Sequence, residues 1–301
     1  VRQALRVRCV GAALALVLVA WLAADDAPAQ GTRFERGRLF RIDRAGVPPS
    51  YVFGTLHSND ARVVRALPPA VTAALDATRS SAFETLLTDG DVATLLAAAR
   101  YEGEGRLTDH VDAATLARIR DALDSDAPDT ATLARVKPWA VLLMLAEVRE
   151  PGPPALDAVL RAQARARRHA VLALELPDEQ VASLDAIPLA SQLALMRWAL
   201  DTREARGADH EATMRAWLAG DLAGLWRLSL EPGKRDPALA GHLRALLKHL
   251  ISDRNLLFAH RLHLPLARGR VFVAVGALHL YGAEGLLALI EKQGYRVTRV
   301  L

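Results

Sequence analysis

Two stretches decide the fold: YVFGTLH at residues 51–57 and VAVGALH at residues 273–279. Each is a short apolar run that ends in Gly-x-Leu-His, and such a run reads as a buried strand. Side chains alternate between the faces of a strand, so His57 shares a face with Thr55 and Phe53 while Gly54 and Leu56 point the other way. A glycine at position 54 lets a covering element approach closely, and the histidine then leaves the strand at its carboxyl end. In open α/β sheets that end is where ligands bind.

Outward from these two runs, further strands are predicted at Arg38–Asp43, Ser50–Leu56, Ser81–Leu86, Ala170–Leu176, Val271–Leu278 and Tyr295–Leu301. Between Glu84 and Ala170, and again from Asp178 to Leu266, the patterns are helical, broken at Pro188, Gly207, Gly220 and Pro232-Gly233. The strands therefore cluster at the two ends of the chain. The expected fold is α/β: a central mixed sheet built from N- and C-terminal strands, flanked by a large inserted helical region. Neither strand group is large enough to bury a core alone, so residues 30–301 are expected to form one domain.

Two neighbouring strands ending in His57 and His279 would bring two imidazoles within reach of one metal ion; the alternative is that each histidine is a satisfied strand-end residue. Glu84 lies in the run AFETLL (82–87) and Glu175 in VLALEL (171–176). A carboxylate in such a run needs a partner, either an arginine or a site. A third Gly-x-x-His, Gly207 to His210, sits in a polar helical stretch and is read as surface.

Composition narrows the classes. The chain has 301 residues, 51% apolar and 24% charged, and neither disorder nor a repeat array fits. Its single cysteine, Cys9, excludes a disulfide framework and a cysteine-based zinc site. The formal charge of +4 is small, and no nucleic-acid-binding motif is present. Gly233-Lys234 is followed by Arg235 where a phosphate loop needs Ser or Thr, and Met214 stands where a zincin needs its second histidine. Arg2, Arg6 and Arg8, the apolar run of 13 residues from Val10 to Leu22, and Ala27-Pro28-Ala29 read as an export signal over residues 1–29. The expected location is the periplasm, with an uncleaved anchor as the alternative and no stable membrane association after cleavage.

The segment around His57, Lys137-Pro138-Trp139, LELPDEQ (174–180), Asp253-Arg254-Asn255, VGALHLYGAEG (275–285) and GYRV (294–297) together resemble the TraB/GumN family over Arg38 to Leu301. The resemblance extends to Tiki metalloproteases and, more distantly, to erythromycin-esterase-like and ChaN-like proteins. It implies a site centred on His57, Glu84 and His279, a divalent ion of the Mn²⁺ or Co²⁺ class with Zn²⁺ as a further option, and a peptide or small-molecule substrate. Two positions depart from the family pattern: Ala155-Leu156-Asp157 stands where many members have Gly-Leu-Asp, and Tyr281 stands where a small residue or proline is common.

The chemistry expected from these residues is hydrolytic. The two histidines and a carboxylate from Glu84 or Glu175 would hold the ion, and the other carboxylate would act as base. Arg254 or Arg62 would stabilise an oxyanion. Asn255, beside Arg254 on a long helix, is read either as a site residue or as a helix-packing residue, and Arg62 alternatively as an exposed loop arginine. Two other functions fit the same residues: a non-catalytic periplasmic binding or regulatory protein, and a metal-dependent hydrolase of esters or sugar derivatives.

Overall fold

The computed structural model describes residues 33–301 apart from 66, 125–126 and 147–152. The leader predicted over residues 1–29 lies outside them. Among the described residues no helix is long and apolar enough to cross a membrane.

The strands are β1 (Leu39–Arg44), β2 (Val47–Thr55), β3 (Ser80–Phe83), β4 (Ala170–Ala173), β5 (Val271–Gly276) and β6 (Arg296–Arg299). They form one mixed sheet in the order β4-β3-β5-β2-β1-β6. The expected α/β architecture is therefore what the chain adopts. β1 and β2 form an antiparallel hairpin, and β6 adds antiparallel to β1. β5 lies parallel between β3 and β2, pairing Ala82 with Val273 on one side and Gly54 with Val275 on the other. Its six residues, VFVAVG, are all buried, as a strand covered on both faces requires.

The apolar runs overshoot the strands. The strands predicted to reach Leu86, Leu176 and Leu278 stop at Phe83, Ala173 and Gly276. Glu84 and Glu175 therefore sit just past strand ends, not inside strands as the sequence suggested. Leu174, Glu175 and Ala277, just beyond two of these ends, remain buried, which is why the apolar pattern continues after the ladder ends, whereas Leu176 is exposed.

Two groups of buried side chains fill the interior. One surrounds the sheet and includes Phe40, Phe53, Phe83, Phe272 and Trp217; the other lies among helices and includes Ile119, Trp139, Leu142, Leu195, Met196 and Leu243. A continuous helical rod joins them. It runs from Ala240–Leu247 through a π-helical segment, Lys248–Ser252, into Asp253–Arg268. Leu243, Leu246 and Leu250 belong to the helical group, and Phe258, Leu262 and Leu266 to the sheet group. His210, read as surface from its polar surroundings, is half-buried on the Arg206–Leu218 helix, and its Nδ1 is enclosed with no hydrogen-bond partner among the described residues. The neighbours that enclose it come from tertiary packing, which the local sequence does not reveal.

Candidate functional site

Four adjacent parallel strands each deliver one side chain to the same edge of the sheet. Across the sheet, Glu175 follows β4, Glu84 follows β3, His279 follows the short 3-10 turn after β5, and His57 follows β2. Strands in a sheet lie about 4.8 Å apart, so neighbouring strand ends place side chains within contact of one another. Gly54 makes the approach possible, since a Cβ there would lie 2.7 Å from Leu280 Cδ1 and 3.2 Å from the Ala277 backbone. What covers Gly54 is thus the turn that carries His279.

The two imidazoles converge on one oxygen. His57 Nε2 lies 3.5 Å and His279 Nε2 3.8 Å from Glu84 Oε1. Each ring is held by its other nitrogen. His57 Nδ1 is 2.8 Å from Asp157 Oδ2, and Asp157 Oδ1 accepts from Thr55 Oγ1 at 2.9 Å. His279 Nδ1 donates to Asn255 Oδ1 at 2.8 Å, and Asn255 Nδ2 in turn donates to the Glu284 carbonyl at 2.9 Å. Asn255 is thus a positioning residue for His279. Asp157 lies in the first turn of the Leu156–Ala166 helix, where the helix dipole favours a carboxylate. The Leu156 amide also hydrogen-bonds the Ser58 carbonyl, tying that helix to the His57 loop.

Arg254 is part of the cluster, with Nη1 3.5 Å from His279 Nε2, but most of its donors are already committed. Its Nε and Nη2 donate to Glu175 at 2.9 and 2.5 Å, Nη2 also donates to Glu84 Oε2 at 2.7 Å, and Nη1 donates to the Leu250 carbonyl at 3.0 Å. The expected oxyanion role gives way to a structural one: the guanidinium fixes Glu84 from behind. Glu175 changes role for a similar reason. Its side chain has 0% exposure and is held by Arg254 and Gln180, so it has no access to a reacting water, whereas Glu84 keeps 12%. Arg62 is not brought to the cluster. It pairs with Asp60 and Glu211 at a half-exposed position.

Burial and charge set distinct protonation states. Burial works against a proton on His57, but Asp157 and Glu84 outweigh it and push the ring up to about 10. Burial pushes His279 down to about 3, with Arg254 and His57 acting in the same direction. With its Nδ1 proton given to Asn255, neutral His279 presents its Nε2 lone pair to the cluster, where Arg254 Nη1 stands as a donor 3.5 Å away. Burial opposes the charge on Glu84, yet His279, Arg254 and His57 hold it well below the usual carboxylate range. Burial likewise opposes the charge on Asp157, and His57 overcomes it and holds Asp157 low.

The donor set suits a divalent ion. Ligands about 2.1 Å from one ion at tetrahedral angles lie roughly 3.4 Å apart, close to the spacing of Glu84 Oε1 from the two Nε2 atoms. Each ring's second nitrogen is held by an oxygen acceptor, as ligating histidines require. Charge agrees as well. Arg254 and protonated His57 face Glu84, Asp157 and Glu175, a sum of 2 − 3 = −1. Exchanging the His57 proton for a divalent cation brings that sum to zero. Gly276 leaves space beside these atoms, since a Cβ there would stand 3.3 Å from both Glu84 Oε1 and His57 Nε2. Among the described residues no group of three or more His, Cys, Asp or Glu side chains is placed, as it stands, to hold a metal ion. Glu84 Oε1 also accepts from the Gly276 amide at 2.6 Å.

Fold and site together define an α/β protein with a histidine–carboxylate cluster at the carboxyl ends of its parallel strands. The sequence matches the TraB/PrgY/gumN family over residues 39–299, and the chain belongs to that family. Comparisons with curated proteins and with solved structures gave no match.

Sequence reasoning missed Asp157 as a site residue. Two signals marked it, its place at a helix start after Pro153-Pro154 and its match to the Asp of the Gly-Leu-Asp pattern seen in similar proteins, but neither points to His57.

Proposed function

We propose that this chain is a divalent-metal-dependent hydrolase, most naturally of peptide bonds, with His57, His279 and Glu84 as the residues that would hold the ion. What supports this reading above all is the convergence of two restrained Nε2 atoms on one carboxylate oxygen. An ion bound there would supply Lewis acidity, lowering the pKa of a bound water and polarising a carbonyl. The chain's own residues do the rest. Asp157 and Thr55 orient His57, Asn255 orients His279, and Arg254 with Glu175 and the Gly276 amide fix Glu84 and keep it ionised. The proposed location is the periplasm, supported by the basic head, apolar run and Ala27-Pro28-Ala29.

The test is metal content followed by calorimetric titration with Mn²⁺, Co²⁺ and Zn²⁺, and cleavage of a peptide mixture before and after chelation. We expect close to one equivalent of ion, lost in His57→Ala and His279→Ala together with cleavage. Tight binding that survives both substitutions would overturn the assignment.

A second reading is favoured by the His57–Asp157 contact at 2.8 Å. A histidine whose other nitrogen faces the cavity can act as an acid–base group without an ion, as an esterase would use it. Cleavage that persists after chelation and still fails in His57→Ala would select this alternative.

A further inference from the structure

The histidine–carboxylate cluster forms only one end of a cavity. The cavity, about 90 Å³ with the cluster's end included, extends between the Leu222–Ser229 helix and the helical rod, and Leu225, Leu246, Leu250, Ile251 and Leu278 are among its lining. The π-helical segment supplies Leu250 and Ile251, one turn before Arg254. Local π geometry is frequent at functional sites because it re-aims side chains within a helix.

Three uncharged polar side chains also line this space, Thr55, Thr213 and Ser229, and each has its hydroxyl proton committed, Thr55 Oγ1 to Asp157 Oδ1 at 2.9 Å, so that only acceptor lone pairs are left for a visitor. Thr213 Oγ1 donates to the Asp209 carbonyl and Ser229 Oγ to the Trp226 carbonyl, both at 2.9 Å and both within their own helical segments. The charged lining residues are His57, Glu84, Arg254 and His279, which belong to the cluster itself. Away from the cluster the wall is therefore mostly apolar and offers no hydrogen-bond donor from a side chain. A carboxylate entering it would lose water and gain no partner.

We infer that this leucine-lined space is the specificity pocket of the site and receives an aliphatic side chain, of the size of leucine or valine, from a residue flanking the bond to be cleaved. The inference rests on the hydrolase reading above, and it names the substrate class. Continuity with His57 and His279 argues for a substrate group as occupant. Its size argues for an aliphatic one. An apolar cavity of about 150 Å³ takes up benzene, and 90 Å³ is well short of that. A branched four-carbon chain fits, and a phenyl ring requires the wall to move. Each methylene that fills such a pocket is worth roughly tenfold or more in discrimination.

The experiment uses two readouts on the full chain as purified. Ligand-observed NMR and thermal shift compare N-acetyl amides of alanine, valine, leucine, phenylalanine and aspartate. Cleavage rates are compared for peptides carrying the same residues on either side of one bond. The expected order is leucine and valine above alanine by tenfold or more, with phenylalanine and aspartate lowest. Leu250→Phe should shift the preference toward alanine, and Leu278→Phe, at a half-buried position that tolerates the change, is the second variant should Leu250→Phe fail to fold. Equal responses to the leucine, phenylalanine and aspartate amides would overturn the pocket. Cleavage with no aliphatic preference would overturn the pocket and leave the hydrolase intact. Selective leucine binding without cleavage would uphold the pocket and count against the hydrolase.

Discussion

Gly276→Ala isolates the site from the fold. Gly276 has φ −53° and ψ 138°, an extended conformation that alanine adopts freely, so the backbone has no need of glycine there. The added methyl would stand 3.3 Å from both Glu84 Oε1 and His57 Nε2 and 3.7 Å from His279 Cδ2. Contacts at 3.3 Å require those two side chains to give by a few tenths of an ångström. Loss of chain entropy in the unfolded state favours alanine by about 0.4–1 kcal/mol, which offsets the crowding, so stability should change by less than about 1 kcal/mol. For a chain of this size that is a Tm shift of about 2–4 °C at most. Metal binding should suffer far more, because the methyl enters the space bounded by two proposed ligands. Displacing a ligand's supporting geometry typically costs 10–100-fold in affinity, or about 1.4–2.7 kcal/mol, and a methyl beside the ion should cost at least that. Thermal unfolding paired with calorimetric titration of Mn²⁺ or Co²⁺ measures both. Undiminished affinity in Gly276→Ala would refute the placement of an ion between His57 and Glu84. A large fall in Tm would mean that the glycine serves packing.

Asp157→Asn keeps the shape of the His57 contact and removes its charge; the His57 pKa should fall and metal affinity should drop about 10–100-fold, read by NMR titration and calorimetry. Glu175→Ala leaves Arg254 half-paired in the interior and should cost about 3–5 kcal/mol in urea unfolding, whereas Arg62→Ala at its exposed pair should leave the urea midpoint and cleavage unchanged. In the metal-free protein the folded-state pKa of His57 is raised to about 10. That contribution to stability is full below about pH 6.5, declines as the unfolded chain gives up its proton, and is gone above pH 10. The urea midpoint should fall across that window and flatten in His57→Gln. Metal uptake below pH 10 should release one proton, with affinity rising as pH rises.

Much of the architecture was legible because it rests on local pattern. Apolar runs closed by glycine marked β2 and β5, and a charge inside an apolar run marked Glu84 and Glu175. The pairing of His57 with His279 followed from their equivalent positions after those strands. What escaped was set by partners distant in sequence. Arg254 carries the same chemistry whether it faces a substrate or two glutamates, and only the tertiary placement of the helical rod beside Glu84 and Glu175 decides between them. Asp157 meets His57 across a gap of 100 residues, and a helix-start aspartate looks the same whether it caps its own helix or grips a histidine. Strand ends were overestimated because buried residues continue past the ladder, toward the site.

The place of β5 in the sheet has a consequence for the order of events during synthesis. The strand inserted between β3 and β2 belongs to residues 271–276, near the carboxyl end of the chain. Until those residues emerge, β1–β2 and β3–β4 can only be two separate ribbons, each with an unpaired edge facing where β5 will lie. His57 and Glu84 then have no common neighbour to align them, and His279 has not yet been made. The nascent chain thus carries a disassembled site until residue 279 has been made, and β5 must close long loops before any gain is realised, which slows folding. Any activity of the site is postponed until β5 and His279 have joined the strands made before them, a built-in delay that needs no inhibitor.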